Sequence, residues 1–270
     1  MPSYDNALEA GGGLVRRVIS DRQGLLRRET EDYLRAESEA YAARQASFWQ
    51  RDYSSAEALD ASVEPNRQRW LDAIGDFGPA AEGEVATEPF LEDETITARW
   101  MTVPLYGGLR GRGVLALPKR RAGRLPLVIA QHGIGSSPEK VFGLDDDSGL
   151  YHTYGRRLVE EGYAVLAPMN ITEAAPRARY TRLALMLGKT LWGLEIAKIR
   201  RLLDHVCALP EVDGSRVAMW GISLGGAYTM FTTPLEKRIG VAIPCAWFNH
   251  RVRKMVVDDP RHSCFLSTTE

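Results

Sequence analysis

The sequence predicts an α/β fold: a mostly parallel sheet with an amino-terminal β-hairpin and helices on both faces, preceded by a helical extension. Three observations predict it. Residues 95–117 alternate as two strands around a glycine turn, short apolar runs then alternate with helical periods, and residues 1–90 read as helical and strongly charged up to a linker. The chain is accordingly divided into a helical extension, 1–90, and an α/β domain, 91–270.

In the extension, Leu14, Val15, Val18, Ile19 and Leu25 recur at helical spacing among Arg16, Arg17, Arg27 and Arg28. Tyr33, Leu34 and Tyr41, with Trp49 beyond them, continue through a charged stretch without proline or glycine. Both stretches suit helices with one apolar face. Gly11-Gly12-Gly13 has no strand before it and no Gly-Lys-Ser/Thr after it, so it reads as a flexible turn rather than a phosphate loop. Residues 77–89, rich in small residues, Gly and Pro, read as a linker. Residues 95–105 then form a strand, Gly107-Gly108 a turn, and residues 113–117 the returning strand. Residues 125–130 and 164–168 are continuous apolar runs of the buried parallel-strand type, separated by a helix over 152–161 that Gly162 ends. A long helical stretch over 182–209, a strand over 216–221, a helix over 225–232 and a final strand over 241–248 complete the pattern.

Basic and acidic residues nearly cancel, 34 − 35 = −1, which excludes the basic excess of a general nucleic-acid binder. With 44% apolar and 26% charged residues, the chain has the composition of an ordinary globular protein. Its amino terminus has neither a basic n-region nor an apolar h-region, and no apolar run approaches the ~20 residues that cross a bilayer. A cytoplasmic protein with no membrane partner is expected. Cys207, Cys245 and Cys264 are odd in number and form no C-x-x-C pair, as reduced structural thiols would. No histidine pair has metal-ligand spacing backed by other ligands, so no metal is expected.

The decisive motif is Gly221-Ile222-Ser223-Leu224-Gly225, followed by Gly226. It joins a buried strand to a helix, the context in which such a serine stands exposed at the carboxyl end of a sheet. A turn this sharp strains the serine and leaves no room for side chains around it, hence the glycines. The backbone N–H of Leu224, at the helix amino terminus, can bind a developing oxyanion. A second donor is expected from Gln131-His132-Gly133-Ile134-Gly135, directly after an apolar run; Ile134 is the choice, with Gly133 and Gly135 as alternatives. His132 sits inside that loop and reads as its anchor rather than as a base. His205 reads as a core-edge residue of a helix, and His152 as part of a helix start.

HGIGSSPE, VDGSRVAMWGISLGG and the hairpin ending in VLALP resemble the α/β-hydrolase superfamily, most closely its dienelactone-hydrolase-like and acetyl-xylan-esterase-like serine esterases. The resemblance covers about residues 91–250. It implies an α/β-hydrolase fold and a cofactor-free carboxylic-ester hydrolase for short acyl or acetyl esters. Ser223 would be acylated and then freed by water, while dienelactone hydrolase itself resembles this arrangement with a cysteine. The resemblance also implies an acid and then a histidine, in that order, on loops after later strands.

Those partners are hard to place. After residue 248 only 270 − 248 = 22 residues remain, whereas two further strand-helix-strand units need roughly 60. Either His250 or His262 forms a compact triad with Asp258 or Asp259, or the carboxyl-terminal strands are missing and acid and base lie beyond Glu270, the expectation favoured here. On that expectation the 270-residue chain alone has little turnover. The partner expected is a small-molecule ester. A peptidase or acyltransferase of the same fold, and a catalytically incomplete scaffold, are the alternatives. Residues 1–90 could cap the site, mediate a homo-oligomer or pad the body, and the helix pattern leaves these open.

Overall fold

The computed structural model describes residues 12–147 and 149–248. Packing divides them into two compact units, the first running to Asn66 and the second starting at Arg67. The first unit is built on helix α1 (Gly12–Gln45), followed by a 3-10 turn at Ala46–Phe48 and the opening of helix α2 (Ala56–Ile74). Gly12 and Gly13, expected in a flexible turn, instead open α1. Expected apolar residues do lie along α1, but Ile19, Leu25, Tyr33, Leu34 and Tyr41 are exposed, and Val18 alone of the helix is buried among the residues whose burial is described. The carbonyl of Phe48 accepts from Asn66 Nδ2 at 2.8 Å, which ties the turn to α2.

The second unit is a seven-stranded sheet: β1 (Ala86–Glu92), β2 (Ile96–Tyr106), β3 (Leu109–Pro118), β4 (Leu125–Gln131), β5 (Ala164–Pro168), β6 (Val212–Ile222) and β7 (Ile239–Cys245). Its order is β1-β2-β3-β5-β4-β6-β7. The first three strands and β5 pair antiparallel in succession, whereas β5, β4, β6 and β7 run parallel. The hairpin around Gly107-Gly108 is as expected. Strand β1 is an addition: it pairs with β2 although it begins inside the stretch expected to be helix and linker. Its own residues are mostly exposed, so an edge strand with mixed composition left no alternating signal.

Alternation sorts the strand residues between two cores. Leu115, Leu117, Leu127, Ile129 and Leu166 face one side with helices α6 (Leu191–Cys207) and α7 (Leu224–Thr232). Val114, Ala116, Ala130, Val165 and Ala167 face the other, where α3 (Pro138–Val141) and α4 (Tyr154–Glu160) lie. A sheet buried on both faces explains the unbroken apolar runs of β4 and β5. The single helix expected over 182–209 is two: α5 (Ala174–Leu185) and α6. Gly188 takes φ +65° between them, and Thr190 caps α6, its Oγ1 accepting from Gly193 N at 3.2 Å. Leu183, Leu185 and Met186, which supply apolar positions of that expected helix, are exposed at this break. Among the described residues no helix is long and apolar enough to cross a membrane.

Candidate active site

Strand order reverses at β4, whose neighbours β5 and β6 lie on either side of it, so the loops after β4, β5 and β6 converge at the carboxyl end of the sheet. This is where open α/β sheets place ligands. The loop after β6 is the Gly-x-Ser-x-Gly turn. Ser223 adopts φ 56°, ψ −118°, a conformation that costs a non-glycine residue about 1–3 kcal/mol. Its N–H donates to Cys245 O at 2.9 Å and its carbonyl accepts from Ala227 N at 3.0 Å, so β7 and α7 hold the strain in place.

The neighbouring glycines are a steric requirement. A Cβ on Gly221 would lie 2.2 Å from Gly225 O, one on Gly225 2.2 Å from Gln131 O, and one on Gly226 2.3 Å from Cys245 O. Close approach of β4 and β7 to the first turn of α7 therefore excludes any side chain. The loop after β4 arrives beside the serine: a Cβ on Gly133 would sit 3.1 Å from Ile222 O and 3.5 Å from Ser223 Cβ.

Within that loop the backbone donors differ. Gly133 N–H donates to Tyr151 Oη at 2.8 Å and Gly135 N–H to Thr172 O at 3.1 Å. Ile134 N–H, between them, donates to nothing among the described residues, and neither does Leu224 N–H in the first turn of α7. Tyr151 reaches the loop from the turn that enters α4, where His152 and Thr153 both take positive φ. Tyr154 Oη donates to the ends of β4 and β6, at Gln131 O (3.4 Å) and Trp220 O (3.5 Å).

His132 is fully buried, and both ring nitrogens are engaged. Nε2 accepts from Asn170 N at 3.4 Å, so Nδ1 carries the proton and donates to Gly133 O at 3.1 Å. The ring anchors the loop, as expected. Burial pushes its pKa down to about 4 from 6.5, with smaller opposing effects from the Gly133 hydrogen bond. The unfolded chain therefore binds the extra proton first, and stability is complete above pH 6.5 and lost as pH falls towards 4. The full loss is worth about 3 kcal/mol for this one group. Urea midpoints measured between pH 7 and pH 4 are expected to fall less steeply in His132→Asn than in the parent; parallel slopes would refute it.

The loop after β5 is clamped by a buried ion pair that sequence reading missed. Arg177 Nη1 meets Glu195 Oε2 at 2.8 Å, with the side chains 5% and 2% exposed. Arg177 Nη1 also donates to Tyr228 Oη (3.0 Å) and Ile171 O (3.2 Å), and its guanidinium lies 5.1 Å from the Trp192 ring centre. Glu195 Oε1 accepts from Ile171 N at 2.8 Å. Thr172, next in the chain, takes Gly135 N–H on its carbonyl and donates its Oγ1 to Ser136 O at 2.8 Å. Nothing in the spacing of an arginine on α5 and a glutamate on α6 marks such a pair.

The other histidines are elsewhere. His205 lies near the end of α6, at the end of β6 opposite Ser223. His152 is exposed, and its backbone N–H donates to Gly149 O at 3.2 Å. His250, His262, Asp258 and Asp259 lie outside the described residues, as does Cys264. Cys207 and Cys245 are free thiols. Among the described residues no three His, Cys, Asp or Glu side chains gather as metal ligands would.

No family model matches the chain. Among curated proteins it is similar to the Bacillus subtilis (strain 168) protein that carries the name hydrolase YtaP, with 23% identity over 207 residues, 74% of this chain and 69% of that protein. Among solved structures it is similar to BF1801 of Bacteroides fragilis, named for acetyl xylan esterase activity, with a TM-score of 0.59 and 16% identity over 74% of this chain and 58% of that one. The acetyl xylan esterase of Paenibacillus sp. R4 superposes with a TM-score of 0.51 and 16% identity, over 83% of this chain and 70% of that one. The chain thus spans 58% to 70% of the length of these three. Sheet order and likeness agree: the chain has the α/β-hydrolase fold.

Proposed function

We propose that the chain is a serine carboxylic-ester hydrolase acting on short acyl or acetyl esters. The observation that carries the reading is the strained Ser223 at the carboxyl end of β6, with the loop of Gly133 directly beside it. Strain of this kind persists where surrounding structure enforces it, and it concentrates at working residues. Relatives named as hydrolase and as acetyl xylan esterases support the choice of ester chemistry.

In the proposed reaction Ser223 Oγ attacks the ester carbonyl. The N–H groups of Leu224 and Ile134, both unengaged, receive the oxyanion; the Leu224 donor also has the positive end of α7 behind it. Collapse expels the alcohol and leaves an acyl-serine, which water hydrolyses. The reaction needs a base to take the serine proton, and His132 is unsuited because both nitrogens are already engaged. The proposal leaves that base to a residue outside those described.

Covalent labelling tests the nucleophile without requiring turnover. After treatment with a fluorophosphonate, peptide mass spectrometry is expected to place the adduct on Ser223, and Ser223→Ala to abolish both the adduct and any hydrolysis of p-nitrophenyl acetate. An adduct on another residue, or hydrolysis unchanged in Ser223→Ala, overturns the reading.

A further inference from the structure

Beside the loop of Gly133 lies a cavity of about 650 Å³, within the size range of small-molecule sites, that Ser223 does not line. Its wall is one face of α6, where Leu191, Leu194, Glu195 and Lys198 recur at helical spacing, closed by the strand end at Arg112 and the loop at Asn170. Most of that wall is apolar. Of its polar groups, Thr172 and Glu195 are already engaged, whereas Asn170, Ser136 and Lys198 have side-chain atoms without partners among the described residues.

Asn170 is 5% exposed, yet both its Oδ1 and its Nδ2 lack a hydrogen-bond partner among the described residues. The Oγ of Ser136, buried in the adjoining loop, also lacks one. A buried side-chain amide without partners carries a desolvation cost that a ligand can relieve. Lys198 is half-buried, its stem packed on Gly111, and it makes no hydrogen bond or ion pair among the described residues. Burial, aided by the like charges of Arg177 and Arg112 and opposed by Glu195, pushes its pKa down to about 8. Met169 N–H donates to Arg112 O at 2.9 Å, which places Asn170 one residue from the β3 register of Arg112.

Charge points to the ligand. Arg110, Arg112, Lys140 and Lys198 line the cavity against two carboxylates, Glu173 and Glu195. Glu195 is already committed to Arg177 and Ile171 N, and Glu173 is exposed at the rim. Arg110 and Arg112 are exposed as well and Lys140 pairs with Asp145 Oδ2 at 4.0 Å, so Lys198 is the lining cation that is neither exposed nor paired among the described residues.

We propose that this cavity binds a small organic acid, its anionic group held by Lys198 and the Asn170 amide and its apolar body laid against Leu191 and Leu194. Asn170 Nδ2 donates to the acid, and Lys198, half-buried and without an ion-pair partner among the described residues, gains one. Arg112, exposed at the mouth, attracts the anion without being sealed beneath it.

Isothermal titration of the chain at pH 7 with 4-phenylbutyrate, 4-phenylbutyramide, acetate and inorganic phosphate tests it. The aryl acid is expected to bind at least tenfold more tightly than its neutral amide, than acetate and than phosphate. Lys198→Met is expected to weaken it at least tenfold and Arg112→Gln about threefold, with far-UV circular dichroism unchanged. If Lys198→Met does not fold, the exposed Arg112→Gln carries the test. Equal affinity for acid and amide, phosphate binding as tightly as the acid, or unchanged affinity in the folded variants overturns the proposal. Binding is read without turnover, so this inference and the esterase reading can fail separately.

Discussion

A single methyl group at Gly225 is expected to lower stability by about 3 kcal/mol, an overpacking effect at the upper end of the usual range. The added Cβ of Gly225→Ala would stand 2.2 Å from Gln131 O and 2.8 Å from His132 O. Both are backbone atoms, one at the end of β4 and the other in the loop beside Ser223, so no flexible side chain can move aside. Relief requires α7 to withdraw from β4, which opens the core around Leu224, Ala227 and Tyr228. For a unit of this size the loss corresponds to a fall in Tm of about 6–12 °C. Gly108→Ala is the control, because a Cβ there meets nothing within 4 Å. It is expected to change stability by less than about 0.5 kcal/mol. Thermal melts of the two variants settle the matter: equal midpoints would show that the close approach at Gly225 is not enforced.

The same contact explains why the turn was legible in the sequence. Gly221, Gly225 and Gly226 are demanded by backbone that would overlap any side chain, so the need is written directly in the residue types. Strands β4 and β5 were legible for a related reason: burial on both faces gives continuous apolar runs, Leu125 to Ala130 and Ala164 to Pro168. Elements whose identity depends on distant partners were not. The break between α5 and α6 rests on Gly188 and the Thr190 cap, yet Leu183, Leu185 and Met186 continue the apolar spacing into positions that solvent, not a core, receives. Strand β1 gains its identity from pairing with β2, since its exposed residues have no pattern of their own. In the candidate site, Ser223 and the loop at Gly133 could be named from their motifs, and an anchoring role for His132 from its position. Tyr151, Arg177 and Glu195 could not, because each acts through a residue many positions away.

Arg177 is where that hidden layer has its largest expected effect. Replacing it with methionine leaves the Glu195 carboxylate, 2% exposed, without its ion-pair partner, and stranding a buried charge costs about 3–5 kcal/mol. Lys198 is close enough to feel Glu195 but forms no ion pair with it, so the lower end of that range is expected. Removing both charges in Arg177→Met/Glu195→Leu is expected to recover part of the loss, since no charge is then stranded. Recovery is incomplete, because Ile171 N–H and C=O both lose their side-chain partners and Tyr228 Oη loses its donor. Urea denaturation of the parent, the single variant and the double variant measures this directly. A double variant less stable than Arg177→Met would mean that the hydrogen bonds to Ile171, not the stranded charge, set the cost. The consequence should also travel. Ile171 fixes Thr172, and Thr172 holds both Gly135 N–H and Ser136 O, so hydrogen exchange at Gly135 is expected to quicken in Arg177→Met while that of Gly133, held separately by Tyr151, stays slow.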